Sequence, residues 1–256
     1  MHGETIPRPG FGWFRYAAPP EFYRLTGRLV PWFAALAAVL GLIGLYLGFF
    51  VAPTDAQQGE SYRIIFIHVA AAWMAMFIYV VMAFWAGMGL VFNTRMSSIM
   101  ACALAPTGAL MAFVALWTGA LWGRPAWGAY WVWDARMTST LILLFLYLGF
   151  MALHGAIDDT RRADRAAGVL ALVGVINVPI IYFSVQWWNT LHQGASVSLV
   201  RAPTMAATML EGMLIMALAF WMYSIATALT RARAILLERE RSAAWAQEAL
   251  REGRDR

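Results

Sequence analysis

Residues 64–92 read IIFIHVAAAWMAMFIYVVMAFWAGMGLVF, with one imidazole and no Asp, Glu, Lys or Arg. About 20 predominantly apolar residues let a helix cross the roughly 30 Å hydrocarbon core of a bilayer. Five further stretches of at least that length carry at most one ionisable acid, base or imidazole each. The six predicted spans are 30–51, 64–92, 96–121, 137–157, 166–188 and 202–230.

The composition supports the same conclusion. The chain is 61% hydrophobic and 13% charged, whereas a typical soluble domain is about 25% charged. So few charges could not cover a soluble fold, which excludes a soluble enzyme, a disordered tail and a disulfide-stapled secreted domain. A single cysteine, Cys102, also excludes an internal disulfide and a CxxCH heme-attachment signature. We therefore predict an all-α, polytopic membrane protein with six transmembrane helices.

The arginines predict the orientation. All nineteen basic residues are Arg, and fifteen lie in the N-terminal segment, the second and fourth loops and the tail, against four in the other loops. Because cytoplasmic segments carry the positive excess, both termini are predicted to be cytoplasmic. The net charge of +5 is spread over helix ends and the tail, so no nucleic-acid partner is expected. The predicted parts are a cytoplasmic segment 1–29, a membrane domain 30–230 with outer loops 52–63, 122–136 and 188–203, and an Arg-rich cytoplasmic tail 231–256.

Tryptophans cluster around the second outer loop. The run 127–134 reads WGAYWVWD, and Trp122 precedes it. An interfacial aromatic belt is the ordinary explanation for Trp near a span end, but this run is denser than a belt requires. We expect Gly123 and Gly128 to let the backbone turn and lie flat, presenting several indole faces to a large planar apolar ligand.

Two histidines are predicted on the same side as this loop. His68 lies four residues into the second span, and His192 lies in the third outer loop. A hydrogen-bonded core histidine and a solvated loop histidine are the ordinary alternatives. Two facing neutral imidazoles could instead occupy both axial positions of a heme iron. Zinc would need a third or fourth ligand, for which no suitable cluster is present.

Three outward arginines flank these motifs, Arg63, Arg124 and Arg136. Arginine pairs carboxylates in a bidentate way, so the group could hold heme propionates. Lipid headgroup contact, or an internal pair such as Arg136 with Asp134, explains them equally well. His154, at the inner end of the fourth span, is expected to be structural.

Three segments together carry a family resemblance. Residues 62–69 (YRIIFIHV), 127–139 (WGAYWVWDARMTS) and 187–194 (WWNTLHQG) follow one another along the chain. Together, and in this order, they resemble the heme exporter protein C family. That family is component C of the Ccm cytochrome c maturation system and belongs to the WWD-motif group of heme-handling proteins. The similarity covers about residues 25 to 230.

The resemblance implies a function and partners. Heme b, bound noncovalently and in transit, would have His68 and His192 as axial ligands on the periplasmic side of a bacterial inner membrane. The remaining implied binding residues are Trp122, Trp127, Trp131, Trp133, Asp134, Arg63, Arg124 and Arg136. The implied partners are the periplasmic heme chaperone (component E), the ATP-binding cassette components A and B, and the small membrane component D. The sequence shows no nucleophile constellation or phosphate loop, so we predict no enzyme, with ATP hydrolysis in partner subunits.

Two other functions remain open at this stage. An integral di-heme electron carrier would need histidine pairs within facing helices, whereas only His68 and His154 lie inside spans, at opposite ends. A small-molecule permease with tryptophans lining a pore would transport its substrate without a heme spectrum.

Overall fold

A computed structural model describes residues 18–192, 194 and 205–254. Within these ranges the chain forms eight α-helices and no named strand. A π-helical turn, Leu47–Val51, continues the first helix, and a 3-10 turn, Glu60–Ile64, leads into the second. The helices are α1 (Pro19–Tyr46), α2 (Ile65–Phe92), α3 (Arg95–Trp127), α4 (Ala135–Gly155), α5 (Thr160–Gly174), α6 (Asn177–Trp187), α7 (Ala207–Arg239) and α8 (Ala244–Arg254).

Six helical segments of the described chain are long and apolar enough to cross a membrane, so the predicted six-helix, all-α membrane fold is confirmed. The lipid-facing sides of these segments carry large apolar side chains, such as Trp32 at 70% exposure. Exposing such side chains to water is unfavourable, whereas lipid can cover them. The segments are Pro19–Val51, Glu60–Phe92, Arg95–Trp127, Ala135–Gly155, Thr160–Trp187 and Ala207–Arg239.

The fifth predicted span is divided between α5 and α6. Pro179 has no N–H for the carbonyl of Val175, and that carbonyl accepts from the N–H of Val178 instead, at 3.0 Å. Asn177 is buried at the break, where its side-chain amide donates to the carbonyl of Ser139 at 2.9 Å. The freed carbonyl is therefore satisfied within the segment, and the Asn177 side chain ties the break to α4, a neighbour that hydropathy alone does not identify.

The helices pack around α2. It packs against α3, α5 and α7, while α1 lies along α7. Fully buried alanines, including Ala71, Ala105 and Ala112, line the contacts, and such small residues let helix backbones approach closely in membranes. One end of this bundle carries the first turn of α2, the end of α3 and the end of α6.

Several predicted boundaries differ from the structure, among them the start of the first helix, which is Pro19 and not residue 30. The second outer loop was expected over 122–136, but α3 continues to Trp127 and the irregular segment is limited to 128–134. The helix ends only where Gly128 adopts a left-handed φ of 78° and donates to the Arg124 carbonyl at 3.0 Å. The expectation that Gly123 makes the backbone turn is wrong, because Gly123 is a buried helical residue.

The tail is also part of the bundle. Helix α7 continues through residue 231 without a break, and its Leu236 is 0% exposed against Ile99 and Ala103. Trp245 of α8 packs on Tyr23 of α1, with ring centroids 5.7 Å apart. The third outer loop, predicted at 188–203, is described only at 188–192 and 194, and the rest lies outside the described residues, as do residues 1–17.

Candidate functional site

The two motif histidines meet at one end of the bundle. His68 lies in the first turn of α2, and His192 lies five residues beyond the end of α6. Their ring centroids are 6.3 Å apart and their planes are inclined by 32°. Residues far apart in sequence are thus brought into one site.

A hydroxyl on α3 holds the first ring. His68 Nδ1 lies 3.0 Å from Thr118 Oγ1, and the same hydroxyl lies 2.6 Å from the carbonyl of Val114. A carbonyl can only accept, so the hydroxyl donates to it and receives a hydrogen bond from the ring N–H at Nδ1. This assigns the lone pair to Nε2, the nitrogen left for a metal.

The backbone of α3 also makes room for this ring. A Cβ on Gly119 would lie 3.0 Å from His68 Cε1 and 3.5 Å from Nδ1. Sequence reasoning missed both Thr118 and Gly119. The signal was available, because they precede Trp122 by four and three residues and therefore share its helical face.

Two of the predicted tryptophans contact the histidines. Trp122 lies edge-on to His68, with centroids 5.6 Å apart, and Trp127 lies 6.3 Å from His192. The indole N–H of Trp122 donates to Gln58 Oε1 at 2.7 Å. Gln58, from the first outer loop, was not anticipated. Its amide fixes the orientation of the indole beside His68.

The other two tryptophans form a separate pair. Trp131 and Trp133 meet edge to face, with centroids 5.3 Å apart. Trp133 is 77% exposed, whereas Trp131 Nε1 is buried and has no hydrogen-bond partner among the described residues. A buried indole N–H normally finds an acceptor, so Trp131 presents an unused donor in the motif.

Asp134 links the tryptophan segment to the second histidine. Its Oδ1 accepts from the N–H of Met137 at 2.7 Å and so caps α4. Its Oδ2 accepts from the Thr190 hydroxyl at 2.6 Å, and Thr190 Oγ1 in turn accepts from the backbone N–H of His192 at 2.9 Å. One carboxylate oxygen therefore caps α4, and the other holds the loop that carries His192.

The three arginines are held by the protein. Arg136 donates from Nε to Ser184 Oγ at 2.9 Å and from a terminal nitrogen to the Tyr182 carbonyl at 3.2 Å, and no ion pair joins it to Asp134 in the described structure. Arg124 bonds the Gly128 carbonyl, and its guanidinium lies 5.8 Å from the Tyr130 ring centroid. Arg63 pairs with Glu60 and donates to the Gly48 carbonyl at 2.6 Å. None of these three arginines bonds His68 or His192 in the part of the chain that the structure describes.

His154 belongs to a polar cluster at the opposite end of the bundle. Its Nε2 lies 2.9 Å from Asp164 Oδ1, and Arg239 bonds both oxygens of the same carboxylate at 2.8 and 2.9 Å. Cys102 Sγ lies 4.0 Å from Asp164 Oδ1. Cys102, His154 and Asp164 are residue types that bind metals, but Arg239 already occupies the carboxylate. The cluster therefore joins α3, α4, α5 and α7.

Known proteins resemble this chain over most of its length. The family model described as heme exporter protein C matches residues 12–247. The chain is 53% identical to heme exporter protein C of Escherichia coli strain K12 over 180 residues, which cover 70% of this chain and 74% of the relative. Identity to the proteins of the same name is 50% for Bradyrhizobium diazoefficiens (87% and 84% covered) and 40% for Paracoccus denitrificans (92% and 98% covered). The six apolar helices make the chain a multi-pass membrane protein. By these matches it belongs to the heme exporter protein C family.

Proposed function

We propose that this chain binds heme b noncovalently between His68 and His192, on the periplasmic face of a bacterial inner membrane, and delivers it to a periplasmic heme chaperone. Family membership implies heme delivery for cytochrome c biogenesis, together with ATP-binding cassette components of the Ccm complex. The observation that carries the finer proposal is the 6.3 Å separation of the two imidazole rings.

This separation fits one metal bound from both sides. A metal–imidazole bond is about 2 Å and the ring centre lies about 1 Å beyond the nitrogen, so two axial imidazoles place their centroids about 6 Å apart. Zinc would require further protein ligands. Among the described residues, the one group of three or more metal-binding side chains is the Cys102 cluster at the other end of the bundle. Heme iron needs no such group, because the porphyrin supplies four nitrogens itself.

The surroundings also suit a porphyrin. Trp122 and Trp127 stand beside the two imidazoles and can replace water over an apolar macrocycle, at about 25 cal/mol per Å² of apolar area buried. The buried N–H of Trp131 is a donor that a propionate carboxylate could satisfy. Arg124 precedes the tryptophan run 127–134 and Arg136 follows it. We propose that both supply positive charge near the propionates.

The two ligands are held differently, and this suggests the order of release. His68 is part of a helix and is fixed through Thr118, whereas His192 is on a loop tied to the bundle through Thr190 and Asp134. A loop opens at lower free energy than a packed helix. Delivery therefore begins at His192, where the chaperone can replace one axial ligand while His68 still holds the iron. The chain makes no covalent bond, and ATP hydrolysis is assigned to components A and B, with component D as a further membrane partner.

A spectroscopic experiment tests the ligand assignment. The full-length protein is purified in detergent, loaded with heme, and compared with His68→Ala, His192→Ala and the matched control His154→Gln. We expect one heme per wild-type chain with a low-spin bis-histidine spectrum. Each site variant should lose that spectrum and regain six-coordination when free imidazole is added, while His154→Gln should keep it.

The outcomes separate the alternatives. Two hemes per chain would identify a di-heme carrier, and a fully inserted protein that takes up no heme would favour the permease. A wild-type spectrum in either site variant would show that the corresponding ligand is wrong. Transfer to the purified chaperone, measured as covalent heme on that partner, tests the delivery step.

A further inference from the structure

A basic pocket lies at the end of the bundle opposite the histidine pair. It is formed where α2 passes into α3 and where α5 begins, and its basic side chains are Arg95, Arg161 and Arg165. Asn93, Thr94 and Ser98 add polar groups, and Leu90 adds an apolar wall. Because His68 is in the first turn of α2 and this pocket is at its last, the two sites lie at opposite membrane faces.

The three guanidinium groups are not paired with an acid in the described structure; Asp158 and Asp159 precede Arg161 in the chain but do not line the pocket. None of them forms an ion pair or a side-chain hydrogen bond with a residue in the described ranges. Asp164 is the single acid lining the pocket, and Arg239 bonds both of its oxygens. The pocket therefore presents a net positive charge that suits a phosphate group.

The apolar surroundings indicate what carries this phosphate. Phe92 and Val91, at the end of α2, are 62% and 75% exposed, next to Leu90 and Asn93 of the pocket. Arginine side chains at the end of two membrane-spanning helices lie at headgroup depth, with these apolar side chains level with the acyl chains. We propose that the pocket binds the phosphate of an anionic phospholipid, whose chains cover Phe92 and Val91.

A lipid titration with matched variants tests this proposal. Full-length protein in a zwitterionic detergent is titrated with short-chain phosphatidylglycerol, phosphatidylcholine or inorganic phosphate, and bound lipid is counted by native mass spectrometry. The test variant is Arg161→Gln with Arg165→Gln. The control is Arg162→Gln, which removes an exposed arginine of the same helical turn that does not line the pocket. Arg95→Gln provides a second, single-site test.

We expect wild type to bind phosphatidylglycerol more tightly than phosphatidylcholine. Each arginine removed from the pocket should weaken phosphatidylglycerol binding about fivefold, so the double variant should lose about 25-fold, whereas Arg162→Gln should stay within about twofold. An unchanged heme spectrum shows that the variants are folded. If the double variant is not folded, Arg95→Gln replaces it in the titration. Equal losses in test and control variants, equal binding of both lipids, or equally tight binding of inorganic phosphate would each overturn the proposal.

Discussion

Replacing Thr118 by valine should weaken heme binding without removing a ligand. Valine has nearly the shape of threonine, but it has no oxygen to accept the hydrogen bond from His68 Nδ1, which is 3.0 Å long in the structure. The ring would keep its place and lose the partner that assigns the proton to Nδ1. Thr118 thus acts through His68 as a positioning residue.

The expected size follows from the groups left behind. The ring N–H would lose its hydroxyl acceptor at a packed contact, because Thr118 is 9% exposed and the ring lies against Gly119 of α3. An unsatisfied buried donor costs about 1–3 kcal/mol, and losing the outer partner of a metal-binding histidine typically lowers affinity about 10–100-fold. We therefore expect heme affinity to fall by about 10–100-fold, equivalent to about 1.4–2.7 kcal/mol.

The assay compares Thr118→Val with Thr118→Ser. Heme affinity is measured by absorbance titration, and the tautomer of His68 is measured by ¹⁵N NMR of the heme-free protein. Serine retains the hydroxyl, so its affinity should stay within about threefold of wild type and its ring should keep the proton on Nδ1. Equal affinity of the valine variant and wild type, or an equal loss in both variants, would refute the role of this hydroxyl.

Two further predictions concern space and charge. Gly119→Ala should lower heme affinity, because its Cβ would lie 3.0 Å from the His68 ring. The control Gly41→Ala, with nothing within 4 Å of its Cβ, should leave the affinity unchanged. Equal titration curves for the two variants would contradict this explanation. Asp164→Ala should destabilise the protein by about 1–3 kcal/mol, because it leaves the partly buried Arg239 without its carboxylate partner. Thermal unfolding measures this loss, and the double replacement of Asp164 and Arg239 by leucine should recover much of it; no recovery would show that the charge pair is not the cause.

Much of the site could be predicted from local sequence. The six spans and the approximate positions of His68, His192 and the tryptophan run follow from composition and order along the chain. Periodicity could also have identified Thr118 and Gly119, since they share a helical face with Trp122. The extension of α3 to Trp127 was missed because Gly123 was expected to turn the backbone, whereas it is a buried helical residue.

The remaining features depend on residues that are distant in sequence. The bond between Gln58 and Trp122, the link from Asp134 through Thr190 to His192, and the pairing of Asp164 with Arg239 each join separate helices or loops. Arg63, Arg124 and Arg136, which the sequence suggests for the propionates, also bond groups of the protein. Those partners could not be predicted from local sequence, and the propionate role stays a prediction.

The amino-acid sequence alone determined that this protein is a bundle of six membrane-crossing helices, because transfer into lipid depends on the summed polarity of each segment and hardly on its neighbours. Tertiary structure alone decided that the two imidazoles stand 6.3 Å apart, that the ring proton of His68 lies on Nδ1, and which carboxylate holds which loop. Those features are hydrogen bonds and close packing, whose energies vanish within about an ångström of misplacement, so they exist only once the helices have taken their positions.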